Sequence, residues 1–173
     1  MNPRETRRER CDDLLKLMAE RSSCRRYDPE RPVPRELLEV CIEAGRRAPS
    51  ACNKQPWHFV IVDDPDTVTA LRQKARLPGV PHPWWDDVPV FIAVCVRIDL
   101  LTHRIAPAFS GIPYYLIDVG IAGEHVVLAA EALGLGTCWI GWFKEKAVRA
   151  VLHIPRTVRV ASLLTVGWPA ESS

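Results

Sequence analysis

Apolar residues surround almost the whole circumference of one predicted helix in the second half of the chain. Residues 113–143 read PYYLIDVGIAGEHVVLAAEALGLGTCWIGWF, and Pro113 suits the first turn of a helix. Between Asp118 and Leu135, only Glu124 and Glu131 form a clear polar stripe, and a helix that is apolar on nearly every side is typically buried. The pattern predicts a central helix followed by a short β segment and loop at TCWIGWF.

Small residues keep this helix slim, so that another backbone can approach it closely. They are Gly120, Ala122, Gly123, Ala129 and Ala130. Two interpretations remain open: a core helix, or one side of a helix–helix dimer interface. Gly134 and Gly136 are expected to end the helix, because glycine readily adopts the left-handed conformation at a helix C-terminus.

Helical and strand patterns alternate along the remainder of the chain. Helical periodicity is found at residues 9–20, 34–47, 66–76 and 144–152, and strand-like apolar runs occur at 58–64, 90–98 and 158–166. Loops rich in proline and polar residues separate several of them, including one at 99–112. Because no repeat or long linker divides the chain, these elements predict one α+β domain over residues 1–173, with residues 1–8 as a loose polar end.

Composition narrows the class of protein only a little. The chain has 173 residues, of which 47% are apolar and 25% charged, and its net charge of +2 gives by itself no case for nucleic acid. The six cysteines show no CxxC pair and no spacing typical of zinc ligands, so no metal site or disulfide scaffold is predicted. The N-terminus lacks the apolar core of a secretory signal, and the central helix is too short and too charged to span a membrane, so a reducing cytoplasm is expected.

Three loops carry the candidate chemistry. Residues 21–26 read RSSCRR, in which guanidinium groups and hydroxyls could cradle a phosphate, although a solvated basic connection is the simpler interpretation. Residues 49–57 read PSACNKQPW, in which the amides of Asn53 and Gln55 could bind a heteroaromatic edge or simply form a turn. In the third loop, residues 134–142, glycines let backbone N–H groups approach a ligand.

Taken together and in this order, the motifs resemble the nitroreductase family of flavin enzymes. The resemblance extends from about Arg21 to Pro169 and rests on RSSCRRY, APSACNKQPWHFVIV, DVGIAGEHVVLAAEALGLGTCWIGWF and LLTVGWP. It implies a three-layer fold with a central, mostly antiparallel sheet flanked by helices. It also implies a homodimer with one FMN at each of two interface sites and the central helix near the two-fold axis.

The same resemblance implies roles for individual residues around the flavin. In the first motif, the FMN phosphate would be held by Arg21, Ser22 and Ser23, and Arg25 would approach the N1 and O2 edge of the ring. The segment that borders the isoalloxazine, commonly from the other subunit, would consist of Pro49, Ser50, Ala51 and Asn53, with Gln55 in the same motif. The third motif would place the backbone of Ile140 and Gly141 against the flavin, with the Gly141 N–H reaching N5 and Trp142 lining that edge or the substrate mouth.

Some features depart from the family pattern. Many relatives continue into a tail whose Arg or Lys also grips the phosphate, whereas this sequence ends at GWPAESS, so that contact is expected to be missing. Trp84 and Trp85 could wall the pocket or form a hydrophobic plug. Cys52 and Cys138 are expected near the flavin, yet a buried cysteine usually acts as a small hydrophobe. No histidine is assigned a catalytic role.

The predicted activity is an FMN-dependent oxidoreductase. A hydride would pass from NAD(P)H to flavin N5 and then to a small, electron-poor acceptor such as a nitroaromatic or quinone, and the protein would supply orientation and electrostatics. The alternatives are a specialised flavin enzyme of the same family (another electron donor, dehalogenation or flavin breakdown) and a non-catalytic flavin-binding or interaction module. No nucleic-acid or membrane partner is expected.

Overall fold

Five helices and four strands form the described part of the protein. The computed structural model describes residues 3–97 and 111–170. The helices are α1 (Pro3–Glu20), α2 (Arg35–Arg46), α3 (Pro65–Lys74), α4 (Tyr114–Ala132) and α5 (Glu145–Val151). The strands are β1 (Trp57–Val62), β2 (Val90–Arg97), β3 (Gly136–Ile140) and β4 (Val158–Gly167).

Local sequence signals explain where several of these elements begin and end. Helix α3 begins with proline, and the side chain of Asp64 accepts a hydrogen bond of 2.9 Å from the Thr67 N–H, which satisfies one of the free donors at the helix start. At the C-terminal end of α4, Gly134 has a φ of 76°, in the left-handed region that favours glycine. The predicted ends of both helices agree with these positions to within two residues.

The N-terminal end differs from its prediction. Helix α1 begins at Pro3, so residues 3–8, predicted to be loose, are helical. The cause is compositional, because the segment RETRRER is polar but contains good helix formers and no internal breaker. Of the predicted loop at residues 99–112, the part up to residue 110 lies outside the described residues.

The four strands form one antiparallel sheet in the order β1-β2-β4-β3. Trp57 of β1 lies opposite Val96 of β2, Val90 of β2 lies opposite Val166 of β4, and Gly136 of β3 lies opposite Gly167 of β4. Strands β1 and β3 are therefore the two edges of the sheet. The prediction of a central, mostly antiparallel sheet is confirmed.

Helices cover both faces of the sheet, because successive strand residues point to opposite sides. On one face, Leu38 of α2 and Val126 of α4 pack with Leu164 of β4. On the other face, Leu71 of α3 and Val148 of α5 pack with Leu163 of β4. The predicted three-layer α+β architecture is confirmed.

The central helix α4 is a core helix along part of its surface only. Val126 and Ala130 are completely buried within the chain, whereas Leu116 and Ile117 remain about half exposed, at 50% and 48%. Gly123 lies under the ring of Trp139, so that a Cβ there would overlap the ring, but nothing lies within 4 Å of the Cβ position of Gly120. Gly123 thus allows Trp139 to pack against the helix, whereas the surface beside Gly120 is not covered by the described residues.

The two tryptophans of the proline-rich loop belong to the core. Trp85 is completely buried, its indole N–H donates to the Arg72 carbonyl at 3.0 Å, and its ring packs against Phe91. Trp84 is 9% exposed and lies in the same cluster. Of the two interpretations for this pair, the hydrophobic plug agrees with the structure.

Candidate active site

The first predicted loop pairs with the sheet through backbone hydrogen bonds at the β3 edge. Residues 21–27, hereafter the basic segment, make a parallel bridge between Ser23 and Thr137 and an antiparallel bridge between Tyr27 and Pro169. The Cys24 N–H donates to the Thr137 carbonyl at 2.8 Å. Backbone pairing with β3 therefore fixes the course of a segment that carries three arginines.

A glycine in β3 allows this close approach. A Cβ on Gly136 would lie only 2.7 Å from both Cβ and Sγ of Cys24. Such a distance is far shorter than ordinary van der Waals contact, so any side chain at position 136 would push the basic segment away from the sheet.

Tyr27 anchors the far end of the basic segment in the core. Its side chain is 3% exposed, and its hydroxyl donates to the Cys24 carbonyl at 2.9 Å and shares a 2.6 Å hydrogen bond with the Thr165 hydroxyl. Burial raises the pKa of the Tyr27 phenol well above its usual range, because the ionised form would lose its hydration. The anchor consequently stays protonated and keeps a hydroxyl donor in this network.

The polar side chains of the basic segment remain accessible. Ser22, Ser23 and Arg25 are exposed, and Arg21 is half-buried. Burial raises the pKa of the Cys138 thiol, and the positive charge of Arg25 acts in the opposite direction, toward a lower pKa. The charge of Arg25 thus acts on a residue of β3. Cys138 itself belongs to the buried core.

The end of β3 opens onto solvent. Ile140 is buried, but Gly141 is exposed and nothing lies within 4 Å of its Cβ position. Trp142, the next residue, is 71% exposed. The Gly141 backbone is therefore open on the side where a Cβ would stand.

The second predicted loop is a tight turn before β1. In residues 49–55, hereafter the amide loop, Ser50 Oγ accepts from the Gln55 N–H at 2.9 Å, and the Gln55 side-chain amide donates to Asn53 Oδ1 at 2.8 Å. Cys52, Asn53 and Gln55 have φ angles of 51°, 52° and 46°, which non-glycine residues seldom adopt. The Asn53 and Gln55 amides are thus partly used within the loop, and Cys52 is exposed rather than buried.

Sequence reasoning missed one polar residue that holds this loop. The carboxyl group of Asp118 on α4 accepts a 2.9 Å hydrogen bond from the Ala51 N–H through Oδ1. Asp118 is 3% exposed, and its other oxygen, Oδ2, is buried without a hydrogen-bond partner. The signal was present in the sequence as the one acidic residue between Tyr114 and Gly123, in the first half of the central helix.

Two of the three predicted loops lie along the same edge of the sheet, one pairing near the start of β3 at Thr137 and the other following its end at Ile140. The basic segment and the end of β3 lie at one edge of the sheet, whereas the amide loop leads into β1 at the other edge. Three steps between neighbouring strands, each about 4.8 Å, separate the two edges by about 14 Å. Ser50 and Asn53 therefore belong to a different edge from Arg21, Ser23 and Gly141.

Comparison with known proteins agrees with this fold and these motifs. The model of the Nitroreductase family matches residues 18–77 and 67–168. The chain belongs to the nitroreductase family, as its motifs predicted.

Individual relatives cover nearly all of the chain. It is 33% identical over 185 residues to the NADH dehydrogenase of Thermus thermophilus, covering 92% of this chain and 88% of that one. It is 30% identical over 174 residues to the FMN reductase (NAD(P)H) of Bacillus subtilis, covering 94% of this chain and 68% of that one. The crystal structure of a nitroreductase family protein from Clostridium novyi NT superposes with a TM-score of 0.79 at 28% identity, covering 91% of this chain and 86% of that one.

The described residues contain neither a membrane-spanning helix nor a metal-binding cluster. No helix within residues 3–97 and 111–170 is long and apolar enough to cross a membrane. In the same residues, His, Cys, Asp and Glu side chains form no group of three that could hold a metal ion.

Proposed function

We propose that this protein is an FMN-dependent oxidoreductase that takes a hydride from NAD(P)H and passes it to a small, electron-poor acceptor such as a nitroaromatic or quinone. The observation that carries the proposal is the pairing of the basic segment with β3, which brings cationic side chains and the open Gly141 backbone to one edge of the sheet. The names of the relatives, an NADH dehydrogenase and an FMN reductase, support the same class of reaction.

The residues at the β3 edge fit such a cofactor chemically. Arg21 offers a guanidinium group, which binds phosphate through strong charge-assisted hydrogen bonds, and Ser22 and Ser23 offer hydroxyl donors. The space beside Gly141 suits a planar ring system, and the Gly141 N–H would be its donor. Arg25 would place a positive charge beside the ring.

When bound, the flavin supplies the capacity to accept and release a hydride. The protein would contribute binding and orientation through the basic segment, and electrostatic stabilisation through Arg25. Ile140 closes the site from the core side, and the exposed Trp142 would line its mouth.

We further propose that the working form is a homodimer of a single-domain chain. The amide loop lies at the wrong edge to border a flavin held by its own basic segment, and a second copy could supply Ser50 and Asn53. Exposed apolar side chains support this: Leu14, Leu15 and Met18 of α1 are 46–56% exposed, and Leu116 and Ile117 of α4 are about half exposed. The two helices contact one another, and exposed apolar residues on both are of the kind that an interface with a second copy would bury.

An absorption spectrum tests the proposed function directly. Purified protein that is incubated with FMN and then dialysed is expected to show bands at about 370 and 450 nm, and NAD(P)H without air should bleach them. Re-oxidation by a quinone or a nitroaromatic then identifies the acceptor class. Protein that stays colourless after FMN addition would contradict the proposal and favour an interaction module, and bound flavin that no NAD(P)H bleaches would point to another electron donor.

A further inference from the structure

The buried carboxyl group of Asp118 is the strongest feature that the proposed function does not yet use. It lies on α4, 67 positions from Ala51 in the chain, and its Oδ1 accepts the Ala51 N–H at 2.9 Å. This hydrogen bond joins the central helix to the amide loop. The other hydrogen bonds described for residues 50–55 join residues of the loop to each other.

The amide loop has a conformation that needs such support. Cys52, Asn53 and Gln55 are all left-handed, and only asparagine among them tolerates this region readily. Backbone strain of this kind persists only where surrounding contacts over-determine the conformation. Asp118 contributes one of those contacts at Ala51, the first residue of the turn Ala51–Asn53.

Stability alone does not account for an acidic residue at this position. Asp118 is 3% exposed, and its second oxygen, Oδ2, is buried without a partner. An unsatisfied buried acceptor costs free energy, and an apolar residue on a core helix would avoid that cost. The position of the loop, rather than the packing of the helix, is what the carboxyl group determines.

We propose that Asp118 is a positioning residue for the flavin site. By holding the Ala51 N–H, it fixes the amide loop in the left-handed turn that presents Ser50 and Asn53 for contact with the isoalloxazine. This inference rests on the proposed function, since Ser50 and Asn53 matter only if a flavin binds beside them. Asp118 itself does not touch the cofactor in this account.

Two substitutions remove the hydrogen bond from opposite sides. Asp118→Ala deletes the acceptor. Ala51→Pro deletes the donor, and proline suits the first position of a helical turn preceded by an extended residue, as Ser50 is. Asp118→Asn keeps an oxygen for the Ala51 N–H and serves as the conservative rescue. Glu124→Ala removes another acidic group from the same helix and serves as the matched control.

The first measurement is hydrogen exchange of the Ala51 amide in protein without FMN. We expect it to be slow in the wild type, Asp118→Asn and Glu124→Ala, and about tenfold faster or more in Asp118→Ala. Equal exchange in the wild type and Asp118→Ala would overturn the proposal. This measurement stands even if the wild type fails to bind FMN, a result that would refute the proposed function and not the role of Asp118 in the loop.

The second measurement is FMN affinity by fluorescence titration. The Kd should rise about tenfold or more in Asp118→Ala and in Ala51→Pro, and the double variant should be no worse than either single one, because both remove the same interaction. Asp118→Asn should stay within about threefold of the wild type. Additive losses in the double variant, or an Asp118→Asn as weak as Asp118→Ala, would overturn the proposal. If Asp118→Ala does not fold, FMN affinity is compared between Ala51→Pro and Asp118→Asn, because both variants keep a side chain of similar size at position 118.

Discussion

The two edges of the sheet hold their predicted flavin-binding loops in different ways. At the β3 edge, the basic segment is joined to the sheet by backbone pairing and by the buried hydroxyl of Tyr27. At the β1 edge, the amide loop has a strained turn held to the rest of the protein through the side chain of Asp118. The basic segment is thus fixed mainly by its backbone and a core side chain, whereas the connection of the amide loop to α4 depends on one carboxyl group. The comparison predicts that damage at the two edges will have different consequences.

The largest expected effect comes from separating the two copies. Ile117→Glu should place a charge in the exposed apolar surface of α1 and α4, and a buried unpaired charge is strongly unfavourable. We expect a monomer by sedimentation and an FMN affinity reduced by about 100-fold or more, because each flavin would lose its contacts from the partner's amide loop. Ala150→Glu, on an exposed position of α5 at the opposite face of the sheet, should remain a dimer with normal FMN affinity. A wild-type monomer that holds flavin would contradict the whole comparison.

Gly136→Ala tests the β3 edge within one chain. The added Cβ would meet Cys24 at 2.7 Å, so either the sheet edge or the basic segment must shift. Overpacking of this kind typically costs about 1–3 kcal/mol of unfolding free energy. Chemical denaturation should show that loss, and FMN binding should weaken in parallel. Unchanged stability would mean that the basic segment is not packed on β3.

The arginines of the basic segment should differ in what they control. Arg25→Gln should lower the midpoint potential of the bound flavin, because a cation near N1 and O2 stabilises the reduced, more negative form more than the oxidised form. Arg21→Gln should instead weaken FMN binding, since the charge of a phosphate does not change with redox state. A loss of about 1–3 kcal/mol is expected for each.

Redox titration with FMN in excess separates these two effects. For a two-electron couple, 1.4 kcal/mol corresponds to about 30 mV. Each variant is the control for the other, because both remove one guanidinium group from the same segment. If Arg25→Gln leaves the potential unchanged, Arg25 is a further phosphate contact or a solvated side chain.

Tyr27→Phe gives the smallest expected effect and a dependence on pH. Loss of the hydroxyl leaves the Cys24 carbonyl and the Thr165 hydroxyl without this partner and should cost about 1 kcal/mol of unfolding free energy at neutral pH. Because the pKa of Tyr27 is raised in the folded state, the wild type holds a proton that the unfolded chain releases above about pH 10. Stability should therefore be unaffected by this group below about pH 10 and fall above it, by up to about 1.4 kcal/mol per pH unit.

The comparison of the two proteins over pH provides the check. Denaturation at pH 9 to 11 should show the wild type losing its advantage over Tyr27→Phe as pH rises. A constant difference over that range would mean that the phenol is not buried as described.

Much of the fold could be predicted from sequence because its signals are local. A long segment without internal proline, apolar on nearly every side of a helix, predicted α4 between its proline and its glycines, and the continuous apolar run predicted β2. The motif order also predicted the family, and the flavin roles of individual residues remain predictions. The predicted start of α1 was wrong. A polar segment without apolar periodicity does not indicate whether a helix extends through it.

Tertiary structure alone decided how these elements meet. Strand order depends on pairing between residues far apart in the chain, and no local pattern encodes it. That order placed the basic segment beside β3 and the amide loop at the opposite edge. It also decided that Trp84 and Trp85 fill the core and that Asp118 meets Ala51. The sequence by itself determined the family and which residues are candidates for a flavin site. The long-range packing of the sheet and α4 determined at which edge each candidate loop lies, because contacts between distant segments form only in the folded protein.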